Sequence, residues 1–133
     1  MVLDPDAVAA AYFDFMHGDF GVLKGLLSED FYDNVSGRTG QDIFDVVALW
    51  LRESFTDLSV EHHGTGLDGA RVMLWFTVHA THVGSAFPWL RGRPASGKRV
   101  AWAQLHVLRT EGECIVEHWA VRDDLRVLEA IDS

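Results

Sequence analysis

A change in hydrophobic period along the chain limits its fold more than any other feature. Before residue 56, apolar residues recur three and four positions apart in three segments, and from residue 58 to residue 121 they recur at every second position. The first spacing lines one face of a helix, and the second lines one face of a strand. Helices followed by consecutive strands predict an α+β domain, with the helices packed on one face of a curved, mostly antiparallel sheet.

Capping residues and turns predict the element boundaries. Asp4 before Pro5 is typical of a helix start, and Asp19 can cap a second short helix, which a loop over residues 33–40 follows. The third predicted helix has the widest apolar stripe, which consists of Ile43, Val46, Val47, Trp50, Leu51 and Phe55. Strands are predicted at residues 58–63, 71–82, 99–109 and 114–121, and a short helix follows the last of them.

Length and composition indicate one domain that spans residues 1–133. The sequence has 48% apolar residues, 23% charged residues and a net charge of −9, which excludes a disordered chain and disfavours nucleic acid and anionic membranes as partners. No segment resembles a transmembrane helix or a signal peptide, so a cytoplasmic protein is predicted. The single Cys114 cannot form an internal disulfide, which fits a reducing compartment.

Alternation along the strand at residues 99–109 places Trp102, Gln104 and His106 on one face. An amide and an imidazole are costly in an apolar core, because a buried polar group without a partner costs roughly 1–3 kcal/mol. The mixture of an aromatic ring, an amide and an imidazole therefore predicts the wall of a pocket. The alternative is that this face of the antiparallel sheet is exposed to solvent.

The same alternation in the last strand places Trp119 and Asp123 on one side. A carboxylate at the lip of an apolar cavity can act as a general base, which makes Asp123 a candidate catalytic residue. The alternative is that Asp123 is only the N-cap of the last helix. Its neighbour Asp124 serves as the internal control for this hypothesis.

The histidines and the cysteine lack the spacing of metal ligands. His62 and His63 are adjacent on a strand and point to opposite faces, and His79 and His82 are three residues apart. No HxH, HExxH or CxxC motif occurs, nor does a phosphate loop or a dinucleotide fingerprint. The sequence therefore predicts neither a bound metal nor a cofactor.

Three stretches in the second half carry a family resemblance: VHATHVG at residues 78–84, RVAW at residues 99–102 and IVEHWAVRD at residues 115–123. In the first half, the match consists of Tyr12 and of residues 17–19 and 26–31. Over nearly its whole length, the chain resembles the SnoaL-like polyketide cyclases of the nuclear transport factor 2-like superfamily. The resemblance implies a cone-shaped barrel, in which a curved sheet wraps around the N-terminal helices and encloses a hydrophobic pocket.

The resemblance also implies roles for single residues. The cyclases carry an acid–base Asp four residues after a Trp of the last strand, and this position is Asp123 here. His106 matches the position at which related ketosteroid isomerases stabilise an oxyanion. The position of their catalytic base falls near Asp33 and Asn34, and either residue could match it. The residues expected to bind the substrate are Tyr12, Asn34, Trp50, Trp102, Gln104 and Trp119.

The sequence favours a cofactor-independent cyclase or isomerase that performs acid–base chemistry on a hydrophobic carbonyl compound, such as the aldol closure of a polyketide. Asp123 is the expected base, and His106 is the expected donor that stabilises the enolate, or a proton shuttle. One alternative is a non-catalytic domain that binds a hydrophobic ligand or dimerises. Another is an epoxide-opening or dehydrating relative, although the Arg-x-Asp pair of limonene-type epoxide hydrolases is replaced here by Gln104-Leu105-His106.

The strand at residues 71–82 is apolar on both faces, with Val72 and Leu74 on one and Met73 and Trp75 on the other. Helices on one side of a sheet can cover only one of these faces. The strand therefore predicts a homodimer that pairs through the outer face of the sheet, and the family resemblance implies the same.

Overall fold

The computed structural model describes residues 3–133, in which three helices precede the four long strands and a fourth helix follows them. The helices are α1 (Pro5–Met16), α2 (Gly21–Leu26), α3 (Ile43–Ser54) and α4 (Asp124–Asp132). The strands are β1 (Leu27–Asp33), β2 (Arg38–Thr39), β3 (Phe55–Asp68), β4 (Arg71–His82), β5 (Arg99–Glu111) and β6 (Cys114–Arg122). A turn of 3₁₀ helix, Pro88–Leu90, lies in the connection between β4 and β5.

The strands form one sheet in the order β2-β1-β6-β5-β4-β3. Neighbouring strands are antiparallel except β1 and β6, which run parallel. The predicted α+β class and the mostly antiparallel sheet are confirmed. The sheet is open, because β2 and β3 stay at its two edges and do not pair with each other.

Two local predictions are wrong. Residues 27–33 form β1 instead of a helix end and a loop, because pairing with β2 and β6 overrides the low strand propensity of the polar segment 28–30. Phe55 begins β3 instead of ending the third helix, and its ring packs against Trp102 with the centroids 5.5 Å apart. Contacts between distant segments decide both boundaries, and local spacing does not record such contacts.

Helix α1 begins as predicted, since Asp4 Oδ1 accepts a hydrogen bond from the backbone N–H of Asp6 over 3.0 Å. The side chain of Tyr12 on this helix is buried. Its ring centroid lies 4.7 Å from that of His106 on β5 and 6.0 Å from that of Phe44 on α3. Helices α1 and α3 thus cover the face of the sheet that carries His106, which we name the inner face.

Burial alternates strictly along β5. Trp102, Gln104 and His106 are each at most 4% exposed, whereas Ala101 and Leu105 on the opposite face are exposed. The predicted sharing of one face by these three residues is confirmed, and the alternative of a solvent-exposed face is excluded.

One extra residue in β6 reverses the faces predicted for that strand. Ile115 pairs with Thr110, but Glu117 pairs with the next residue along, Arg109, so Val116 has no partner of its own. A bulge of this kind shifts all later side chains by one position relative to strict alternation.

The pairing beyond the bulge shows which side chains face inward, because residues directly opposite in an antiparallel ladder share a face. Ala120 pairs with His106, and Arg122 pairs with Gln104. His118, two residues before Ala120, is buried on the same face.

Trp119 pairs with Val107 and therefore lies on the outer face. Asp123 is four residues later, an even number, and therefore also lies on the outer face. The prediction that Trp119 and Asp123 face the pocket is wrong, because it assumed a strand without a bulge.

The connection between β4 and β5 is anchored at both ends. Near its start, the carbonyl of Ser54 accepts the N–H of Val83 over 2.8 Å, and Gly84 passes so close to α3 that a Cβ there would clash with the carbonyl oxygen of Glu53. Further along, Arg93 donates two hydrogen bonds of 2.8 Å to the carboxylate of Asp132 on α4.

Replacing Gly84 by Ala should destabilise the fold, because the new methyl group meets backbone that cannot rotate away. We expect the free energy of unfolding to fall by roughly 1–3 kcal/mol in urea titrations, the usual cost of overpacking. Gly25→Ala is the control, since nothing lies within 4 Å of the Cβ it would add. Equal losses in the two variants would contradict this account of Gly84.

Candidate active site

A cavity of about 380 Å³ opens between α3, the turn at residues 87–89 and the ends of β1 and β6. Its volume lies in the range of small-molecule sites, roughly 300–1,000 Å³. Its apolar lining consists of Val35, Ile43, Val46, Val47, Trp50, Phe87, Pro88 and Trp89. Its polar lining consists of Asp33, Ser36, Arg38, Arg122 and Asp124.

Aromatic rings form one continuous wall of the cavity. The ring of Trp50 packs against that of Phe87 with the centroids 5.5 Å apart, and Phe87 lies 5.8 Å from Trp89. Trp102 lies behind this layer, with its ring 5.2 Å from that of Trp89. Of the aromatic residues expected at the site, Trp50 lines the cavity and Trp102 supports its wall.

Asp124, the first residue of α4, presents a carboxylate to the cavity. Its Oδ1 accepts a hydrogen bond of 2.8 Å from the indole N–H of Trp102, and its side chain is 29% exposed. The guanidinium of Arg122 lies over the Trp102 ring at 5.7 Å, with Nε 3.9 Å from Asp124 Oδ1. Within residues 3–133, no side chain or backbone group donates a hydrogen bond to Asp124 Oδ2.

Asp123 has a different position. Its side chain is exposed, and Oδ1 accepts the N–H of Arg126 over 3.2 Å as the N-cap of α4. It borders a groove on the outer face together with Trp75 and Leu105. The prediction that Asp123 lies beside His106 in the pocket is wrong, and the capping alternative is the one observed.

His106 belongs instead to a row of four buried side chains, which we name the buried polar network: Asp33, His118, His106 and Gln104. Asp33 Oδ1 lies 2.9 Å from His118 Nδ1, and His118 Nε2 lies 2.8 Å from His106 Nδ1. His106 Nε2 lies 2.7 Å from Gln104 Oε1. All four residues are at most 4% exposed, and Asp33 is the one that lines the cavity.

Aromatic rings enclose the middle of this network. Phe76 stacks on His106 with the ring planes within 4° and the centroids 5.2 Å apart, and Tyr12 covers it from α1. Burial, followed by the charges of His118 and Arg122, holds the pKa of His106 well below its usual value. Burial also raises the pKa of Tyr12, so its phenol stays neutral.

Asp33 is fixed by four hydrogen bonds. Besides His118, the N–H of Val35 donates to Oδ1, and both the N–H and the hydroxyl of Ser36 donate to Oδ2. Burial alone would raise the pKa of Asp33, but the hydrogen bond and charge of His118, together with the bonds from Ser36 and Val35, lower it overall. Asp33 is therefore ionised.

The structure decides between the two candidates at the end of β1. Asp33 is buried and points to the cavity, whereas Asn34 is exposed and donates hydrogen bonds to Glu117 Oε2 and to the carbonyl of His118. The expectation that Asn34 faces the pocket is wrong. The strand that brings Asp33 inward was predicted as a loop, so no parity could be assigned to it.

Sequence reasoning missed three polar residues of the site: His118, Arg122 and Asp124. A single sequence gives no signal for the bulge at Val116, which turns His118 and Arg122 toward the inside. Within residues 3–133, no three His, Cys, Asp or Glu side chains are arranged to hold a metal ion, and no helix there is long and apolar enough to span a membrane.

The sequence model of one protein family matches nearly the entire chain. That family is described as SnoaL-like polyketide cyclase, and the match covers residues 6–131. The match agrees with the fold, an open α+β sheet with helices over its inner face. The chain belongs to the SnoaL-like polyketide cyclase family. No curated protein sequence is similar enough to count as a match.

Solved structures share the fold over almost their full length. TsrD from Streptomyces laurentii superposes with a TM-score of 0.80 at 20% identity, covering 97% of each chain. IdmH from Streptomyces antibioticus, which is named as a polyketide cyclase, has a TM-score of 0.78 at 20% identity over 98% of this chain and 99% of its own. AclR from Streptomyces galilaeus, named as a hydroxylase, has a TM-score of 0.79 at 26% identity over 96% and 95%.

The low pKa of His106 predicts that its imidazole does not take up a proton near pH 6.5 in the folded protein. In the unfolded chain the same group takes up a proton near pH 6.5. The unfolded state thus binds more protons below that pH, and the contribution of neutral His106 to stability is lost as the pH falls below 6.5. NMR titration of folded and urea-unfolded protein tests this, and a folded His106 that titrates at or above pH 6.5 would contradict it.

Proposed function

We propose that the protein is a cofactor-independent cyclase that closes a ring in a hydrophobic polyketide-like carbonyl compound by an intramolecular aldol reaction. One observation carries the proposal: Asp124 presents a carboxylate with one free oxygen to an aromatic-walled cavity. Membership of the polyketide cyclase family supports the same reaction class.

Asp124 is the proposed general base. Its Oδ1 is held by the Trp102 indole, which orients the carboxylate, while Oδ2 remains available to take a proton from the carbon beside a substrate carbonyl. Asp33 has the same chemical group, but both of its oxygens already accept two hydrogen bonds. Asp124 therefore suits proton abstraction better than Asp33 does.

Arg122 is the proposed partner of the enolate oxygen. It lines the cavity beside Asp124, and its guanidinium is fixed over the Trp102 ring. A cation placed where negative charge develops lowers the barrier to enolate formation. The enolate carbon then attacks a second carbonyl of the same molecule, one C–C bond forms, and the new alkoxide takes up a proton, so the product is an isomer of the substrate.

Dehydration is a second candidate reaction, which the hydrogen-bonded pair of Asp33 and His118 favours. A proton donor at the cavity wall would protonate a leaving hydroxyl after Asp124 removes the neighbouring proton. Mass spectrometry separates the two reactions. Cyclisation leaves the mass unchanged, whereas dehydration lowers it by one water.

Exchange of Asp124 for Asn tests the base. We expect turnover of an aromatic polyketide β-keto ester, and its deuterium uptake from D₂O, to fall roughly 10²–10⁴-fold, the usual contribution of general-base catalysis. The melting temperature should stay nearly constant, because an Asn oxygen still accepts the Trp102 hydrogen bond.

Asp123→Asn is the matched control, since Asn caps a helix about as well as Asp. It should retain both turnover and stability. Full activity in Asp124→Asn, or its loss in Asp123→Asn alone, would return the catalytic role to Asp123. Binding of the ester without any turnover or deuterium uptake in the natural protein would favour a binding domain.

We also propose that a second copy of the chain covers the outer face of the sheet. Trp75, Leu105 and Val121 are 54%, 45% and 73% exposed there, and the shallow groove between them has a volume of about 500 Å³. A net charge of −9 makes two copies repel each other over most of their surface, so the apolar strip of exposed Trp75, Leu105 and Val121 is where they can meet.

Replacing Trp75 by Lys should split this dimer, because it places one charge from each copy in the apolar contact. Light scattering at micromolar concentration should then give the mass of a dimer for the natural protein and of a monomer for Trp75→Lys. Leu125→Lys, also at an exposed apolar residue but on α4, should leave the dimer intact. A monomeric natural protein would refute the proposal.

A further inference from the structure

The buried polar network contains three hydrogen bonds, and each bond requires one hydrogen atom. Asp33 supplies none, because it is ionised and accepts from all its partners. Gln104 supplies none either, since its Oε1 is the atom that faces His106. Two neutral imidazoles carry one ring hydrogen each. The network is therefore one hydrogen short if both histidines are neutral.

Two arrangements can supply the third hydrogen. In the first, His118 is an imidazolium that donates from Nδ1 to Asp33 and from Nε2 to His106, and His106 donates from Nε2 to Gln104. In the second, the amide of Gln104 is turned so that its NH₂ donates to His106, and both histidines stay neutral. The hydrogen between the two rings then lies on His106 Nδ1 instead of on His118 Nε2.

Turning the amide gains no hydrogen bond. Gln104 Nε2 is buried and has no partner among residues 3–133, and after rotation Oε1 would take its place without one. The charge balance does differ between the two arrangements. A buried carboxylate is costly unless an opposite charge or several donors compensate it, and an imidazolium 2.9 Å away gives Asp33 that charge.

We propose that His118 is a positioning residue that stores one extra proton as an imidazolium, held between the carboxylate of Asp33 and the neutral ring of His106. The use of this proton in catalysis rests on the proposed cyclisation, whereas the presence of the proton can be tested without it. Asp33 is the counter-ion on the cavity side. His106 Nδ1 accepts the hydrogen bond from Nε2–H of His118 and thereby orients it.

Other groups packed around the pair are consistent with this assignment. Tyr12 from α1 and Phe44 from α3 cover His118 with ring centroids 6.2 and 5.3 Å away, and both are uncharged. The positive charge of Arg122 lowers the pKa of His106 further, after burial and the charge of His118. The second proton of the pair therefore belongs on His118, next to the carboxylate.

The stored proton has a use in the aldol closure. When the alkoxide forms, the proton passes from His118 Nδ1 to Asp33 Oδ1 and from the neutral carboxylic acid of Asp33 to the alkoxide oxygen. Asp124 holds the proton that it took from carbon and releases it to water, and a proton from water returns to the buried His118 through Asp33, which lines the cavity. Base and acid are then separate groups, and each cycle ends with the starting number of protons.

Imidazole ¹⁵N spectra of the natural protein at pH 7 decide the question. We expect protonated-type shifts at both nitrogens of His118, and at Nε2 but not Nδ1 of His106. A bare Nε2 on His118 would overturn the proposal, whichever ring carries the shared hydrogen. The spectra need no substrate, so this outcome is independent of whether the protein is a cyclase.

One variant sharpens the test. Asp33→Asn removes the counter-ion, so Nε2 of His118 should become bare at pH 7. A proton that persists at His118 Nε2 in Asp33→Asn would contradict the assigned role of Asp33.

Turnover gives a separate readout. Asp33→Asn should lower it roughly 10²-fold, at the lower end of what general acid–base catalysis contributes. A protein with the expected ¹⁵N pattern but no turnover retains the stored proton and refutes the cyclisation. The expected turnover together with a bare His118 Nε2 supports the cyclisation and refutes the stored proton.

Discussion

The extra residue at Val116 determines the chemistry of the inner face. Without this bulge, strict alternation from Ile115 would turn Glu117 and Trp119 inward and His118 outward. Asp33 would then lose its buried partner. The bulge lies near the turn between β5 and β6. A local irregularity at the start of β6 therefore determines which side chains face inward several residues later.

Two carboxylates at one cavity differ through their hydrogen bonds. Asp33 accepts four, is buried and is held as an anion by His118, so it suits a fixed charge. Asp124 accepts one strong bond from an indole and keeps an oxygen free. Two Asp residues of the same chain can therefore take the roles of counter-ion and base, because their neighbours differ.

The fold was predictable from the sequence to a greater extent than the site. The period change near residue 56 predicts the α+β class, and alternation in β5 correctly places Trp102, Gln104 and His106 together, because both signals are local. The assignment of Asp123 to the pocket failed since a bulge leaves no mark in one sequence, and Asp124 was considered only as the neighbouring control. Residues 28–30 are polar and become a strand only through pairing with β6, which local patterns do not contain.

Helix α4 connects two parts of the cavity. Its first residue is Asp124, and its last residue, Asp132, holds Arg93 just beyond the turn that carries Phe87 and Trp89. Through these bonds α4 ties the aromatic turn at one end to the Asp124–Trp102 hydrogen bond at the other. The wall of the cavity and the orientation of the Asp124 carboxylate therefore depend on the same short helix.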